Sequence, residues 1–433
     1  MVVSKKAIKQ YIILYCMMLL NQSVIRDSFF SNDYIVFGIF LGVASLHSLF
    51  KRKSILFFMF SSLAICAITR FLVGGVGIAI WATWISMILV TYSAIEIDPL
   101  HFLDRLVKMI VFFAGISIVF WAVSLINLQV VQKMMWFQYK MRTNYARIYI
   151  DSVRYNKMYY DAYGGIIYCV NMCHPTRNCG IFTEPGIYQI VLNGAIFVLI
   201  FFKKYLNIDA NKNYKYIVIL SIAVITTQST SGIISLAFML FLVMAQRKLS
   251  KFEKRIILGV SVIVAVLVIQ YFILGENSLL YITVIKKLFS SSAGFSLAAS
   301  SGSARLGTIA VCLLSMIRNP LGIGYDRLSI LLDTERTGFV AASIFITGAA
   351  CGVLMFVLIL VWTLRPVFRT NFLNKYGKVA FLLIYINTVL SQSSEFYPFI
   401  VFVPLILMKM VDQKSDNNWD RILEKNINAG VVS

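Results

Sequence analysis

The sequence predicts an all-α, polytopic integral membrane protein with about twelve transmembrane helices and two long outer loops. Of its 433 residues, 59% are hydrophobic and 14% are charged, whereas a soluble domain carries roughly 25% charged residues. Apolar stretches of about 17–25 residues, long enough to cross a bilayer as a helix, recur along the whole chain. Lys and Arg gather in short segments between these stretches, as is typical of cytoplasmic loops. We therefore treat residues 1–433 as a single integral-membrane domain.

The predicted spans follow one another along the chain. They cover residues 8–24, 34–50, 54–69, 75–95, 109–128, 186–202, 216–229, 232–246, 256–274, 339–364, 378–392 and 396–410. The first span starts after the basic residues of "MVVSKK", an arrangement that also occurs in signal peptides. Since no small-x-small cleavage site follows, we expect an uncleaved first span.

The segment 216–246 decides the topology. It is long for one span and short for two, and "TTQSTSG" interrupts it as a tight polar turn or a broken helix. Two crossings place most Lys and Arg residues on the cytoplasmic side, whereas one crossing reverses that balance. The positive-inside rule therefore favours two crossings and places both termini in the cytoplasm.

Two segments, 129–185 and 275–338, are too polar to be spans and are predicted to be long outer loops, a kind of segment that is often functional. The first interleaves tyrosines with basic residues, which are Lys133, Lys140, Arg142, Arg147, Arg154, Lys157 and Arg177. One interpretation is a translocated loop whose charges serve no ligand. The other is a surface for anionic sugars, since guanidinium groups pair with phosphate oxygens and tyrosine rings offer flat faces to pyranoses.

A net charge of +21 does not indicate a nucleic-acid partner, because the basic residues are spread over short loops rather than gathered in one block. Three cysteines of the first loop, Cys169, Cys173 and Cys179, lie near His174. Their spacing is not that of a zinc finger, so we expect no metal. In an oxidising compartment, one disulfide and one thiol are expected instead.

The stretch "RNCGIFTEPGIY", Arg177 to Tyr188, precedes a predicted span. Pro185 suits the first turn of a helix, and Glu184 would then lie at the positive end of the helix dipole. One interpretation is a helix cap with a partner arginine. The other is a general base for a hydroxyl nucleophile, beside arginines that stabilise a departing diphosphate.

The second loop offers a comparable set of cations. Arg305 opens "RLGTIAVCLLSMIRNP", whose apolar spacing predicts an amphipathic helix that lies at the interface or re-enters the membrane. "RNPLGIGYDR" then supplies Arg318 and Arg327, with glycines that either build a turn or let a ligand approach the backbone. No phosphate-binding glycine motif occurs in this stretch.

These stretches resemble the O-antigen polymerase (Wzy-type) and O-antigen ligase superfamily. The first match is R-x-x-G-[IL]-F-x-E-P directly before a span, carried here by Arg177, Gly180, Phe182, Glu184 and Pro185. The second is the short polar turn in "TTQSTSGIISLAFMLFL". The third is the arginine, amphipathic helix and N-P-x-x-G-x-G of "SARLGTIAVCLLSMIRNPLGIGYD". The twelve-span layout also agrees with the superfamily.

The resemblance implies a polysaccharide repeat-unit polymerase in the bacterial inner membrane, for O-antigen, capsule or exopolysaccharide. Such a glycosyltransferase moves a glycan from undecaprenyl diphosphate to the next lipid-linked repeat unit, without a metal or another cofactor. Arg177 and Arg305 would hold the diphosphates, and Glu184 would orient or deprotonate the acceptor hydroxyl. Expected substrate-binding residues are Arg142, Arg147, Arg154, Arg318, Arg327 and His174. Besides the lipid-linked oligosaccharides and the bilayer, the expected partner is a separate chain-length regulator.

Two alternatives stay open. A ligase of the same superfamily would transfer finished glycan to another acceptor, although the second outer loop lacks a histidine. A transporter or flippase would carry the same lipid-linked sugars, but it should keep charged groups at mid-membrane between symmetric halves. Here the charges of interest lie in two unequal loops and the sequence shows no repeat.

Overall fold

A computed structural model describes residues 4–25, 46–143, 148–150, 153–155, 158–245, 251–278, 281, 301–334, 342–392 and 396–412. These residues are mostly helical. Their α-helices are α1 Lys5–Leu19, α2 Leu46–Phe50, α3 Lys53–Val73, α4 Ile78–Ile97, α5 Pro99–Ile126, α6 Leu128–Lys133, α7 Pro185–Phe201, α8 Ala210–Thr226, α9 Thr230–Met244, α10 Lys251–Leu274, α11 Ser301–Arg318, α12 Tyr325–Thr334, α13 Ser343–Cys351, α14 Val353–Arg369, α15 Lys375–Ser391 and α16 Pro398–Asp412.

Helices α3, α4 and α5 are long and apolar enough to cross a membrane, and α7 and α9 are shorter apolar helices. The chain therefore has the helices of a membrane protein, as its composition predicts. The number of twelve spans stays a prediction. Most of the expected span at 34–50 lies outside the described residues.

Helix α5 differs from the expected span at 109–128, because it begins ten residues earlier, at Pro99. Its 28 residues measure about 42 Å at 1.5 Å per residue, more than the roughly 30 Å of a hydrocarbon core. The C-terminal part of the helix packs against residues of the first loop. The Phe120 ring stacks on Tyr168 at 5.2 Å, and the Trp121 indole donates to the Thr176 carbonyl at 2.9 Å.

The loop 129–185 corrects the all-α prediction, because it contains strands. Helix α6 is followed by β1 Phe137–Thr143, β2 Ile148–Ile150, β3 Val153–Tyr155, β4 Met158–Gly164 and β5 Cys169–Asn171. Antiparallel pairing gives a sheet of order β1-β4-β5 and a separate β2-β3 hairpin. The frequent tyrosines account for this, since aromatic residues favour strands and pack in cross-strand pairs.

The expected span at 339–364 is likewise not one helix. It divides at Gly352, which has φ +95°, into the short helix α13 and the longer α14. A Cβ at Gly352 would lie 2.7 Å from the Pro320 carbonyl oxygen, so the break leaves room for the segment that follows α11. The apolar sequence does not reveal this break, because glycine is common in membrane helices.

Helix α11 is amphipathic as predicted, but several of its large apolar residues are on the outside. Leu306 and Ile317 are 69% and 77% exposed, whereas Thr308 and Cys312 are fully buried against the protein. Water-facing helices have the opposite arrangement. The exposed side of α11 therefore has the composition of a surface that contacts lipid.

Helix α7 lies at the centre of the molecule. Every residue of it except Gly186 is buried, and α5, α8, α9, α15 and α16 pack around it. An α-helix that is apolar on all sides must be enclosed in this way. Its N-terminus, which follows the Arg177–Tyr188 stretch, is therefore held rigidly.

Candidate functional site

The segment before α7 is attached to the turn between α8 and α9. Arg177 Nε donates to the Thr227 carbonyl at 2.9 Å, and the Gln228 amide donates to the Thr176 carbonyl at 3.1 Å. The Asn178 backbone N–H donates to the Thr226 carbonyl at 3.0 Å. Thus two of the stretches on which the family resemblance rests are in contact. "TTQSTSG" forms the turn on which "RNCG" lies.

Asn178 is the centre of this attachment. Its buried side-chain amide donates to Ser117 Oγ at 3.0 Å and to Thr226 Oγ1 at 2.9 Å, and its Oδ1 accepts the Gly180 N–H at 2.9 Å. Ser117 in turn lies 2.8 Å from the Tyr188 hydroxyl. One asparagine therefore joins α5, α7 and α8. The sequence analysis missed it, because a single asparagine inside a motif has no pattern of its own.

The uncharged residues of the motif have packing roles. Gly180 has φ +58°, and a Cβ there would lie 2.8 Å from the Tyr188 ring. Phe182 is fully buried, and its ring packs 5.7 Å from that of Tyr188. Pro185 occupies the first turn of α7, where its missing N–H leaves no hydrogen bond unmade.

The two charged residues of the motif, Arg177 and Glu184, are only half-buried. Glu184 is the N-cap residue of α7, with its carbonyl accepting the Ile187 N–H at 3.1 Å, but its side chain makes no capping hydrogen bond. The positive end of the helix dipole favours an ionised carboxylate at this position. The carboxylate therefore does not cap the helix through a hydrogen bond.

The charges of Arg177 and Glu184 both influence the buried thiol of Cys179. Burial raises the pKa of its thiol to about 12, the guanidinium of Arg177 opposes this rise, and the carboxylate of Glu184 adds to it. Both charges are therefore close enough to change the pKa of this one buried thiol. The raised pKa favours the thiol over the reactive thiolate at neutral pH.

The other candidates of the loop are dispersed. His174 is half-buried, and its Nε2 lies 3.8 Å from the sulfur of Cys173. All seven cysteines of the chain are thiols, so the expected disulfide does not form here. Within the residues that the structure describes, no group of His, Cys, Asp and Glu could hold a metal ion.

Two expected sugar-binding arginines lie on different sheets. Arg142 is in β1 opposite Tyr159, whereas Arg154 is in the β2-β3 hairpin opposite Tyr149. Arg147 lies outside the described residues.

The second loop packs against other helices than the first loop does. Helix α11 packs on α13, and its residue Arg305 is half-buried, while Arg318 and Arg327 are exposed. Gly322 and Gly324 have φ values of +88° and +77°. Added Cβ atoms at these glycines would collide with the backbone at Ala350 and at Gly74. These glycines build a turn against neighbouring backbone, as one of the two interpretations expects.

The structure therefore places Glu184 at the N-terminus of α7 and Arg177 against the α8–α9 turn, and both charges influence the thiol of Cys179. It puts Arg305, Arg318 and Arg327 on the unit formed by α11 and α12. A comparison with known protein families, with characterised proteins and with solved structures finds no match to this chain.

Proposed function

We propose that this protein is a polysaccharide repeat-unit polymerase of the bacterial inner membrane. It would transfer a growing glycan from undecaprenyl diphosphate to the next lipid-linked repeat unit at the outer face. The single observation that carries the proposal is the arrangement of Arg177 and Glu184. These half-buried charges flank a rigid turn at the N-terminus of a buried helix, while the other motif residues serve packing.

The chemistry of the transfer suits these groups. Attack by an acceptor hydroxyl on the anomeric carbon releases the lipid diphosphate and the hydroxyl proton. Glu184 would accept or orient that proton, since a positioned carboxylate can serve as general base. Arg177 would stabilise the negative charge that develops on the departing diphosphate, with no metal required.

The cations of the second unit would bind the lipid-linked substrates. Arg327 lies near the turn that joins α3 to α4, since the Tyr325 N–H donates to the Gly75 carbonyl at 3.1 Å, and Arg305 and Arg318 lie near the two ends of α11. The helix between them exposes apolar side chains that suit contact with the hydrocarbon of a lipid carrier. With both termini in the cytoplasm, the two sets of cations would lie on the same outer side.

Deletion of the gene, followed by gel electrophoresis of surface polysaccharide, tests this proposal. A polymerase predicts that the ladder of chain lengths collapses to single repeat units and returns with a plasmid copy. A flippase predicts that surface glycan disappears altogether, and a ligase predicts finished glycan that stays on its carrier lipid. Either of these two outcomes, or an unchanged ladder, would overturn the polymerase assignment.

A further inference from the structure

A groove on the side of the molecule lies between α1 and α5, and its residue Tyr15 donates a hydrogen bond to the Ile166 carbonyl of the first loop at 2.7 Å. It has a volume of about 400 Å³ and is lined by Tyr11, Tyr15, Lys108, Met109, Phe112 and Phe113. The floor is apolar, since Met109 and Phe113 are buried, and the Tyr15 ring stacks on Phe113 at 5.7 Å. Phe112 forms a wall and is 60% exposed.

Lys108 is the one cation among the groove residues, and it is exposed. Among the described residues it has no hydrogen bond or ion pair, whereas the nearby charges have partners. Arg105 pairs with Asp98 at 2.9 Å and donates to Gln10, and the Asp104 carboxylate accepts the Asn207 N–H at 2.9 Å. Lys108 acts electrostatically on Asp104, one turn earlier, without an ion pair between them, so its ammonium group is still available to an anion from outside the chain.

Along the groove a cation is followed by apolar side chains, in the same order as the phosphate and the acyl chains of a phospholipid. Lys108 follows the polar residues Asp98 and Arg105 and lies about 14 Å along α5 from Pro99. Lysine side chains at this depth extend towards the headgroup region. Met109, Phe112 and Phe113 come next along the helix, towards the bilayer centre, where the acyl chains are.

We propose that this groove binds an anionic phospholipid of the leaflet in which α5 begins. Its phosphate contacts Lys108, and one acyl chain lies over Met109 and Phe113 beside Phe112. An unpaired cation on a membrane helix is unfavourable in hydrocarbon, and a lipid phosphate removes that cost. Basic pockets between membrane helices on the cytoplasmic side recognise anionic headgroups in this way. The site is independent of the proposed polymerase activity.

Native mass spectrometry of the full-length protein tests the site. The protein is purified in detergent with equimolar phosphatidylglycerol and phosphatidylcholine, and the bound lipids are counted. The wild type should retain phosphatidylglycerol in about fivefold preference, the effect of one lysine on an anionic lipid. Lys108→Gln should lose this preference and Lys108→Arg should keep it, as should Lys133→Gln, a matched control at an exposed lysine of α6.

Two further arms identify the ligand. Phe112→Ala should weaken retention of both lipids yet leave the preference for phosphatidylglycerol, because it removes only contact with the acyl chain. Inorganic phosphate at millimolar concentration should not displace the lipid. The proposal is overturned if the wild type retains both lipids equally, if Lys108→Gln keeps the preference, or if phosphate alone displaces the lipid.

Discussion

Gly180 illustrates how the motif before α7 divides into residues that pack and residues that are left for chemistry. Its φ of +58° and its closeness to the Tyr188 ring exclude a side chain. Phe182 fills the space beside the same ring. Arg177 and Glu184 are the motif positions whose side chains reach partly into solvent. The sequence motif alone does not separate the packing positions from the partly exposed ones, because it specifies residue types and not their burial.

Replacement of Gly180 by alanine tests the packing role. We expect Gly180→Ala to lower the free energy of unfolding by about 1–3 kcal/mol, because the new Cβ is strained and displaces a buried ring. The unfolding temperature in detergent reports the change. Gly115→Ala is the matched control, since its added Cβ meets no atom within 4 Å. Equal unfolding temperatures for wild type and Gly180→Ala would show that the loop adapts.

Thiol labelling tests the burial of the motif loop. In variants that keep one cysteine each, a membrane-impermeant maleimide at pH 8 should label half-buried Cys173 much faster than buried Cys179. Burial raises the pKa of Cys179 to about 12, so its reactive thiolate forms only well above the labelling pH. Intact cells are labelled for increasing times, and the increase in the mass of the protein gives the rate of labelling. Comparable rates at the two positions would contradict the described packing.

Among the helices, α11 is expected to contact lipid with its exposed apolar side, and fluorescence quenching tests this contact. We expect a fluorophore attached at Ile317→Cys to be quenched by brominated phospholipids, because this position is 77% exposed on an apolar surface. A fluorophore at Asp326→Cys, on the exposed polar side of α12, serves as the control and should respond to aqueous iodide instead. Strong iodide quenching at Ile317 would contradict lipid contact.

The elements also show what the sequence could predict. Long apolar stretches located most helices, such as α7 and α15, because burial in hydrocarbon requires both length and composition. Helix α5 begins before its predicted span, because its first turns hold polar residues, His101 and Arg105, that contact Asp98. The division at Gly352 and the strands of the first loop were missed as well. They depend on contacts with distant segments, which a local pattern does not contain.

The same limit applied to the candidate site. Arg177 and Glu184 were found because their motif is local. The hydrogen bonds between this motif and the α8–α9 turn were not predicted, although both stretches contribute to the family resemblance. It rests on backbone carbonyls, such as that of Thr227, which every residue carries and no sequence pattern reveals.

For the whole molecule, a charged cluster joins helices that are far apart in sequence. Lys409 of α16 donates to both carboxylate oxygens of Glu96 at 2.8 Å, and Arg52 lies 3.6 Å from the same carboxylate and pairs with Asp412. The side chains of Glu96, Lys409 and Arg52 are only 11–14% exposed. The cluster therefore connects the beginning of α3 with the ends of α4 and α16.

Removal of the carboxylate should be costly. We expect Glu96→Gln to destabilise the protein by about 3–5 kcal/mol, because it leaves the nearly buried Lys409 without its counter-charge and Arg52 with Asp412 alone. The double variant Glu96→Gln with Lys409→Met should recover part of the loss in unfolding temperature. A stability of Glu96→Gln equal to that of the wild type would mean that the cluster is hydrated and weak.

The central claim is that Arg177 and Glu184 serve a ligand in addition to any contact within the fold, such as that of Arg177 with the Thr227 carbonyl, and complementation of the deletion host with single variants tests it most directly. We expect Glu184→Gln and Arg177→Gln to reduce long-chain surface polysaccharide by about 100-fold or more. The amount of Glu184→Gln in the membrane and its unfolding temperature should match those of Glu276→Gln, a change at an exposed carboxylate, whereas Arg177→Gln also loses the hydrogen bond to the Thr227 carbonyl. A full ladder with Glu184→Gln, or a ladder lost only together with folded protein, would contradict the account.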